Sequence, residues 1–247
     1  MRALILAAGY ATRLYPLTLS CAKPLLPVAG RPLVNHIIER LQPIPDLQEI
    51  LLVTNARFAS QFRAWQTTVR SRRPVTIIDD GTTSNSTRLG AVGDIACALR
   101  HRPDAWDDLF VVAGDNLFSW PLARFLDGAR RRRPAATLGV SAVRELALLR
   151  RYGTVRMAPD GRVTAFAEKS PQPLSTWAAS GLYYFPMPVL SLLRAYLTAG
   201  GRPDMPGHFL EWLIRRHPVV AHMFHGSWYD IGDLSSYRRA CQAFAGK

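Results

Sequence analysis

Residues 3–28 read ALILAAGYATRLYPLTLSCAKPLLPV, an apolar run that passes directly into a loop of small and cationic residues. The run at residues 3–7 predicts a buried strand, and Gly9 marks the turn after it. Ligands of α/β sheets bind at the carboxyl ends of the strands, where small residues let backbone N–H groups approach a phosphate. Arg13 and Lys23 add cations that can hold a polyphosphate. The patterns GxxxxGK[ST] and GxGxxG are both absent, so the residues alone leave a phosphate loop and an ordinary strand–turn–helix both open.

Outward from this stretch, short apolar runs alternate with segments of helical spacing. Continuous apolar strands with helices between them are typical of a mainly parallel sheet that is covered on both faces. Further strands are predicted at residues 49–54, 75–79, 109–113 and 136–143, and helices at residues 32–41, 58–69, 89–100 and 121–132.

The pattern changes after Tyr152. Residues 155–163 read VRMAPDGRV, which predicts a hairpin because an Asp-Gly turn separates two strand-like runs. We therefore predict one α/β domain over residues 1–247, with a Rossmann-like, mainly parallel but mixed sheet, helices on both faces and a small β-rich lobe. The remaining elements are predicted as strands at residues 178–185 and 219–224, helices at residues 188–199 and 208–215, and a C-terminal helix from residue 234.

Composition limits the class of protein. Of the 247 residues, 48% are hydrophobic and 20% charged, so the chain can bury a sizeable core. No apolar run approaches the roughly 20 residues of a membrane helix, and residues 1–9 lack the basic lead of a signal peptide. The net charge is +13, but the arginines fall in short groups, which favours a solvated surface or attraction of nucleotides over nucleic-acid binding. Three widely spaced cysteines exclude a disulfide framework, so we expect a cytoplasmic protein without membrane or nucleic-acid partners.

Lysine is rare in this chain. Of the 31 basic residues only Lys23, Lys169 and Lys247 are lysines. Lys247 is the last residue of the sequence, so its retention as lysine indicates little about a functional position. The other two predict positions that need a compact ammonium rather than a planar guanidinium, although two retained lysines are also compatible with chance.

The opening stretch resembles the signature of the sugar-1-phosphate nucleotidylyltransferases, a family of the nucleotide-diphospho-sugar transferase superfamily. That signature is A-G-x-G-T-R-L-x-P-L-T followed by K-P-L-x-P-V, and Ala11 stands where the family usually has Gly. The resemblance implies that Arg13 stabilises a pyrophosphate leaving group and that Lys23 acts at the α-phosphate. It also implies a nucleotide-binding loop that consists of Leu6, Ala7, Ala8 and Gly9.

Two aspartates match the metal ligands of this family. Asp115 follows Gly114 at the end of a predicted strand, and Asp230 lies in the WYDIGD segment at residues 228–233. Read alone, an Asp at a strand end such as Asp115 is more often an ordinary turn or cap residue, and the segment around Asp230 is equally explained as a strand–loop–helix junction with Asp233 as the N-cap of the last helix. The resemblance implies that Asp115 and Asp230 bind one Mg²⁺ that bridges nucleotide phosphates, with Gly114 beside the nucleotide.

The acceptor side of the family also has counterparts. Gly153 lies in RYGTV, and Glu168 and Lys169 lie in an AEKS segment that resembles the family's E-K-P, with Ser170 in place of Pro. Gly181 lies in SGLY, where Ala179 and Ser180 precede it without the usual Asn. The resemblance implies that Glu168 accepts hydrogen bonds from acceptor hydroxyls and that Lys169 neutralises the acceptor phosphate. The full implied acceptor set is Asn116, Gly153, Glu168, Lys169, Gly181 and Tyr183.

Residues 79–90 read DDGTTSNSTRLG and are the least standard part of the chain. In the family this loop reads the base, which places Asn85 and Gly90 among the expected nucleotide contacts. An amide both donates and accepts, so Asn85 can read a pyrimidine edge, but an Asx-turn explains it equally well.

These expectations define a nucleotidylyltransferase that joins an NTP to a sugar 1-phosphate, with Mg²⁺ as cofactor and in-line attack on the α-phosphorus. Residues 1–115 would form the nucleotide-binding half, and residues 116–247 the acceptor-binding half with the C-terminal helix. One alternative is a CTP-dependent cytidylyltransferase of a non-sugar phosphate or phosphonate, and another is a non-catalytic nucleotide-sensing regulatory subunit. The oligomeric state stays open, a homo-oligomer included.

Overall fold

The computed structural model describes residues 1–101 and 107–245, so Lys247 lies outside the described residues. The described strands are β1 (Arg2–Leu6), β2 (Pro27–Val28), β3 (Arg31–Pro32), β4 (Glu49–Thr54), β5 (Val75–Asp79), β6 (Leu109–Ala113), β7 (Asn116–Phe118), β8 (Ala136–Ala142), β9 (Gly153–Met157), β10 (Val163–Glu168), β11 (Trp177–Phe185), β12 (Val219–Phe224) and β13 (Trp228–Asp230). The described helices are α1 (Leu33–Leu41), α2 (Ala59–Gln66), α3 (Ala91–His101), α4 (Leu122–Arg131), α5 (Leu146–Leu149), α6 (Met187–Thr198), α7 (Pro206–Leu213) and α8 (Leu234–Phe244).

Nine of the described strands form one mixed sheet with β10-β9-β11-β6-β1-β4-β5 as its main path. The four strands β5, β4, β1 and β6 are parallel, as the apolar runs predict. Strand β11 enters antiparallel to β6, and its other edge pairs with β8, which is parallel to β12. The hairpin β9–β10 extends the sheet beside the start of β11. The predicted α/β class with a mixed sheet is therefore confirmed.

Helices cover both faces of the sheet. In β1, Ala3 and Ile5 face a core that contains residues of α1, α2, α4 and α8, whereas Leu4 faces a core with residues of α3, α6 and α7. Every residue of β4 is buried, which is expected for a strand packed on both sides. The continuous apolar runs thus form the centre of the sheet because both of their faces need apolar partners.

The structure also contains elements that the sequence pattern missed. Strands β7 and β13, three residues each, pair antiparallel with Asp230 opposite Asn116. Strands this short show no hydrophobic period, and the partners are more than a hundred residues apart in the chain. Helix α2 ends at Gln66, earlier than predicted, and α7 begins at Pro206, where proline suits the first helical turn.

None of the described helices combines the length and apolar character that a membrane crossing needs. All three cysteines are free thiols.

Candidate functional site

Two adjoining cavities open at the carboxyl ends of β1 and β6, which lie side by side with Leu6 opposite Ala113. The larger has a volume of about 590 Å³ and the smaller about 400 Å³. This is the edge where a parallel sheet binds its ligands. Both cavities share the residues Leu6, Gly9, Arg13, Arg88, Asp115 and Met205.

The loop after β1 is held by the neighbouring strand. The Ala7 N–H donates to the Val53 carbonyl at 2.8 Å, and the Asn55 side chain donates to the Ala8 carbonyl at 2.8 Å. Asn55 is fully buried, so the loop carbonyl is fixed and Gly9 stays exposed at the cavity mouth. Asn55 was not among the predicted site residues, although its place directly after a buried strand was a signal.

Ala11, which stands where the resembling family has Gly, adopts the left-handed conformation with φ 49° and ψ 41°. A Cβ in this region costs about 1–2 kcal/mol, so the methyl group strains the turn rather than changing its course. The Thr18 hydroxyl donates to the Ala11 carbonyl at 2.8 Å and helps to hold that turn.

Asp115 is fixed from both sides by side chains. Lys23 Nζ lies 2.6 Å from Asp115 Oδ2, and Asn116 Nδ2 donates to Asp115 Oδ1 at 2.7 Å. The Trp228 indole donates in turn to Asn116 Oδ1. Asn116 lines the larger cavity, yet both ends of its amide are engaged within the protein, so its contact with an acceptor stays a prediction.

Asp230 reaches the same place through the short β7–β13 ladder. The Ile231 N–H donates to the Asp115 carbonyl at 3.0 Å, which joins the two segments. Burial and then the nearby Asp115 charge raise the pKa of Asp230 to about 6, against the opposing charges of Lys23, Arg13 and Arg151. Two carboxylates whose charges disfavour each other at one point are the arrangement that a divalent cation relieves.

Two arginines frame this pair of carboxylates. A Cβ built on Gly232 would lie 3.4 Å from an Arg151 guanidinium nitrogen and 3.7 Å from one of Arg13. Arg151 also binds Asp233 at 2.8 Å. Asp233 caps α8 as expected, and the Ser236 N–H and then Arg151 hold the pKa of this carboxyl well below its usual range. Arg151 was not among the predicted site residues, although it precedes the RYGTV glycine directly.

Glu168 lies in a slot that two glycines make. A Cβ on Gly207 would lie 1.9 Å from Glu168 Oε2, and one on Gly153 would lie 3.2 Å from the same oxygen. Burial raises the pKa of Glu168, and the Lys169 charge opposes that shift. Gly207 lies on α7, and no sequence pattern predicted it. A glycine is needed there because Glu168, at the end of the distant strand β10, leaves no room for a Cβ.

Lys169 is held in the left-handed conformation with φ 48°, and its N–H donates to the Tyr152 carbonyl at 3.1 Å. Its ammonium is exposed, 3.5 Å from Met205 Sδ, and the residue lines the larger cavity. Local strain in a non-glycine residue tends to occur at functional positions, where the surrounding structure enforces it.

Gly181 interrupts β11 with φ 72°, and a Cβ there would lie 2.7 Å from the Ala113 Cβ. Only glycine fits this bend, which brings β11 across the end of β6. Tyr183, two residues on, is buried in the cavity wall, and burial raises the pKa of its hydroxyl. Both predicted acceptor residues therefore line the larger cavity.

The predicted base loop divides between the cavities. Asn85 is exposed and lines the smaller cavity in a turn where its carbonyl accepts from Arg88 at 2.8 Å. Gly90 lines the larger cavity, and a Cβ there would lie 2.5 Å from the Asp204 Cα. Gly114 lines the smaller cavity.

The structure adds Asp94 to this region, a buried acid in α3 that lines the larger cavity. A single acid within the apolar segment LGAVGDIACAL was the signal for it.

The structure brings all of the predicted site residues to these two cavities. Four of them line only the smaller cavity, namely Ala7, Lys23, Asn85 and Gly114, and the others line the larger. The arrangement combines cations for phosphates with two carboxylates and a mixed polar pocket. Such a set suits phosphoryl chemistry, which depends on positioning and charge neutralisation more than on covalent catalysis.

Comparisons with known proteins point in the same direction. The model of the Nucleotidyl transferase family matches residues 2–246. A mannose-1-phosphate guanylyltransferase catalytic subunit beta of Drosophila pseudoobscura pseudoobscura is 29% identical over 96% of this chain and 60% of its own length. A glucose-1-phosphate thymidylyltransferase of Mycolicibacterium smegmatis is 27% identical over 96% of this chain and 79% of its own length.

A solved structure of UDP-glucose pyrophosphorylase with UDP-glucose superimposes with a TM-score of 0.82 at 18% identity, over 99% of this chain and 98% of the other. That likeness supports the fold. The chain spans 60% of the length of the Drosophila guanylyltransferase subunit.

Proposed function

This chain belongs to the nucleotidyl transferase family, and on that premise we propose that it is an enzyme that joins a nucleoside triphosphate to a sugar 1-phosphate. The products are an NDP-sugar and pyrophosphate. The relatives that share most of this chain are named for transfer to mannose 1-phosphate or glucose 1-phosphate, which favours a sugar phosphate over a non-sugar acceptor.

One observation carries the proposal. Lys23, Asp115 and Asp230 converge at the ends of β1 and β6, with Arg13 close by, on the boundary between the two cavities. No local structural need explains why two carboxylates and two cations from separate parts of the chain converge at this point. A nucleoside triphosphate bound at this boundary would place its phosphate groups beside these four side chains.

The chain's own residues then have distinct tasks. The loop at residues 6–9 holds the nucleotide, Arg13 neutralises the β- and γ-phosphates, and Lys23 the α-phosphate. Lys169 holds the acceptor phosphate, one oxygen of which attacks the α-phosphorus in line. The new oxygen–phosphorus bond forms as the bond to the β-phosphate oxygen breaks, and pyrophosphate leaves with the electron pair.

The residues present fit a magnesium ion. The part of the chain that the structure describes contains no group of three or more His, Cys, Asp or Glu suited to a metal. Asp115 and Asp230 would therefore hold the ion with substrate phosphates and water, which is how Mg²⁺ is usually bound in such enzymes. When bound, it would neutralise the phosphate charge and orient the triphosphate.

The sugar would occupy the far end of the larger cavity. Glu168, set between Gly153 and Gly207, offers carboxyl oxygens to hydroxyl groups. The Tyr152 and Trp228 rings also line this cavity, with centroids 5.0 Å apart and planes tilted by 49°. We accordingly assign residues 1–115 to nucleotide binding and residues 116–247 to acceptor binding, with the Asp115–Asp230 pair between them.

Pyrophosphate release tests the proposal. The protein is assayed with Mg²⁺ and each of ATP, GTP, CTP, UTP and dTTP against glucose, mannose, galactose and N-acetylglucosamine 1-phosphates. We expect release that depends on both substrates, with an NDP-sugar as the second product. Nucleotide binding without pyrophosphate release for any sugar phosphate would contradict the proposed transferase activity.

A further inference from the structure

A separate cleft shares no lining residue with the two cavities of the candidate site. It has a volume of about 490 Å³ and lies between β10, the end of α7 and the start of β12. Val219 begins β12 and pairs with Ala136 at the start of β8. This cleft therefore opens near the amino ends of β8 and β12, whereas the candidate site opens at the carboxyl ends of β1 and β6.

The lining of this cleft is cationic. None of the described residues that line it is an acid, and its basic side chains are Arg162, Arg215, Arg216 and His217. The arginines belong to two distant groups in the sequence, which the fold brings together. A cleft lined by charges of one sign attracts ions of the opposite sign. We refer to it below as the arginine cleft.

Protein contacts leave most of this charge without a partner. Within the described ranges, the guanidinium groups of Arg162 and Arg215 form no hydrogen bond or ion pair. Arg216 donates one hydrogen bond to the Trp212 carbonyl at 3.3 Å and packs on the Trp212 ring at 4.3 Å. The dipole at the end of α7 explains cations at Arg215 and Arg216, but Arg162 lies in a turn far from that helix in the sequence.

The backbone that carries Arg162 is fixed. Its N–H donates to Asp160 Oδ1 at 2.9 Å, and its backbone bridges to Val220 of β12. Arg132 Nη1 donates to the Asp160 carbonyl at 2.7 Å, which ties the same turn to the end of α4. The turn therefore holds Arg162 at the cleft before any ligand binds, and such preorganisation lowers the entropic cost of binding.

We propose that the arginine cleft binds a small polyphosphate anion, with Arg162, Arg215 and Arg216 as its phosphate-binding residues. Guanidinium groups bind phosphate oxygens through paired N–H donors. Three guanidinium groups without an acid suit a chain of two or three phosphates better than a single phosphate. A duplex nucleic acid requires more, since its binding proteins make about 6–10 phosphate contacts. This binding requires neither cavity of the candidate site and does not depend on the transferase reaction.

Calorimetric titration with pyrophosphate tests the arginine cleft directly. The titration is made without Mg²⁺ in about 150 mM salt, where weak surface attraction is largely screened. Arg162→Ala/Arg215→Ala should weaken binding at the cleft by roughly 100-fold, because two charged hydrogen-bond donors are lost. Arg13→Ala removes a cation of the candidate site and should leave binding at the cleft unchanged.

Arg124→Ala/Arg194→Ala is the matched control. Arg124 on α4 and Arg194 on α6 are exposed and line neither the arginine cleft nor the two cavities. This variant loses the same net charge and should bind pyrophosphate as the wild type does. Circular dichroism confirms that each variant is folded. An equal loss of affinity in the control would mean that overall charge holds the anion, which would overturn the proposal.

Titrations with ATP and with inorganic phosphate identify the ligand. Equal affinities for ATP and pyrophosphate at the cleft would show that the phosphate chain alone is bound. Tighter binding of ATP that Arg162→Ala/Arg215→Ala abolishes would make a nucleotide the source of that chain. Inorganic phosphate that binds as tightly as pyrophosphate would overturn the proposal.

Pyrophosphate binding that Arg13→Ala abolishes and Arg162→Ala/Arg215→Ala leaves intact would place the anion in the candidate site alone and also overturn the proposal. These titrations involve no turnover. A failure of the transferase assay therefore contradicts the proposed function and leaves the result for the arginine cleft unaffected.

Discussion

The proposed phosphate side and the proposed acceptor side of the site are built from the chain in different ways. Residues 6–13 supply most of the phosphate side from one contiguous stretch, with Lys23 following ten positions after Arg13. The acceptor side is assembled from four separate segments, around Gly153, Glu168, Gly181 and Trp228. A contiguous loop leaves a motif in the sequence, whereas a dispersed pocket depends on pairings between distant strands.

The two sides also treat charge differently. Arg13 is exposed at the cavity mouth, and Lys23 is paired with Asp115 at 2.6 Å. On the acceptor side burial raises the pKa of Glu168, and between the two sides burial raises the pKa of Asp230. The phosphate side is thus prepared for anions, while the acceptor side contains acids that are ready to hydrogen-bond hydroxyls or to meet a cation.

The strongest test of this division is the pair of carboxylates that joins the two sides. Asp115→Asn and Asp230→Asn each keep the size of the side chain but remove its charge. Each should therefore raise the activation free energy by several kcal/mol and lower kcat accordingly. The double variant should be little worse than either single variant, because ligands of one ion act as a unit. Turnover is measured against Mg²⁺ concentration, and higher Mg²⁺ should partly rescue the single variants.

Circular dichroism serves as the folding control for these variants. Multiplicative losses in the double variant, with no change in Mg²⁺ dependence, would show that Asp115 and Asp230 do not share one ion. A shared metal ion would then not join the phosphate side to the acceptor side.

Lys169 tests whether the acceptor side needs geometry or charge alone. Lys169→Arg keeps the charge but replaces a compact ammonium by a larger fork, and a misplacement near 1 Å can lower rates about 10²-fold. Lys169→Met removes the charge and is the comparison. We expect kcat/KM for the sugar phosphate in Lys169→Arg to fall close to that in Lys169→Met. A value near wild type would mean that any cation suffices there.

Asp94 tests the nucleotide half through stability and pH. Its folded pKa of about 8 lies above the usual 3.8, so the folded protein keeps a proton that the unfolded chain releases between these values. Stability should therefore fall as pH rises through this window, by at most about 1.4 kcal/mol per pH unit from this group. Asp94→Asn does not titrate, so its stability relative to wild type should increase from pH 5 to pH 8.

Urea unfolding of both proteins at pH 5, 6, 7 and 8 provides the measurement. Burial also raises the pKa of the nearby Cys97 and Tyr10, so these groups stay neutral across the range and do not mask the effect. Parallel pH profiles for the two proteins would contradict a raised pKa of Asp94 in the folded protein.

The smallest expected effect concerns the turn at Ala11 on the phosphate side. Ala11→Gly relieves the left-handed strain of about 1–2 kcal/mol, but glycine also gains freedom in the unfolded state. The net stabilisation should be below about 1 kcal/mol. Ala29→Gly is the matched control, because Ala29 has the same φ of 49° outside the two cavities.

Both variants should gain similar stability in thermal unfolding, while only Ala11→Gly should change KM for the nucleotide. A loss of stability in Ala11→Gly would show that the methyl group packs favourably in the turn.

The alternation of strands and helices was readable from the sequence because hydrophobic period is a local property. For the same reason the motif at residues 3–28 predicted the loop after β1, and the apolar run before Gly114 predicted a strand ending at Asp115. Position along a strand also predicted which edge of the sheet would carry the site, since parallel strands share their carboxyl ends.

Tertiary structure alone decided the contacts between distant segments. The β7–β13 pairing brings Asp230 to Asp115, Gly207 makes room for Glu168, and Asp94 meets Asp80. None of these partners lies within a period or a motif of the other. Such contacts follow from how the whole sheet twists and packs, so their energies depend on burial and geometry that no short stretch of sequence contains.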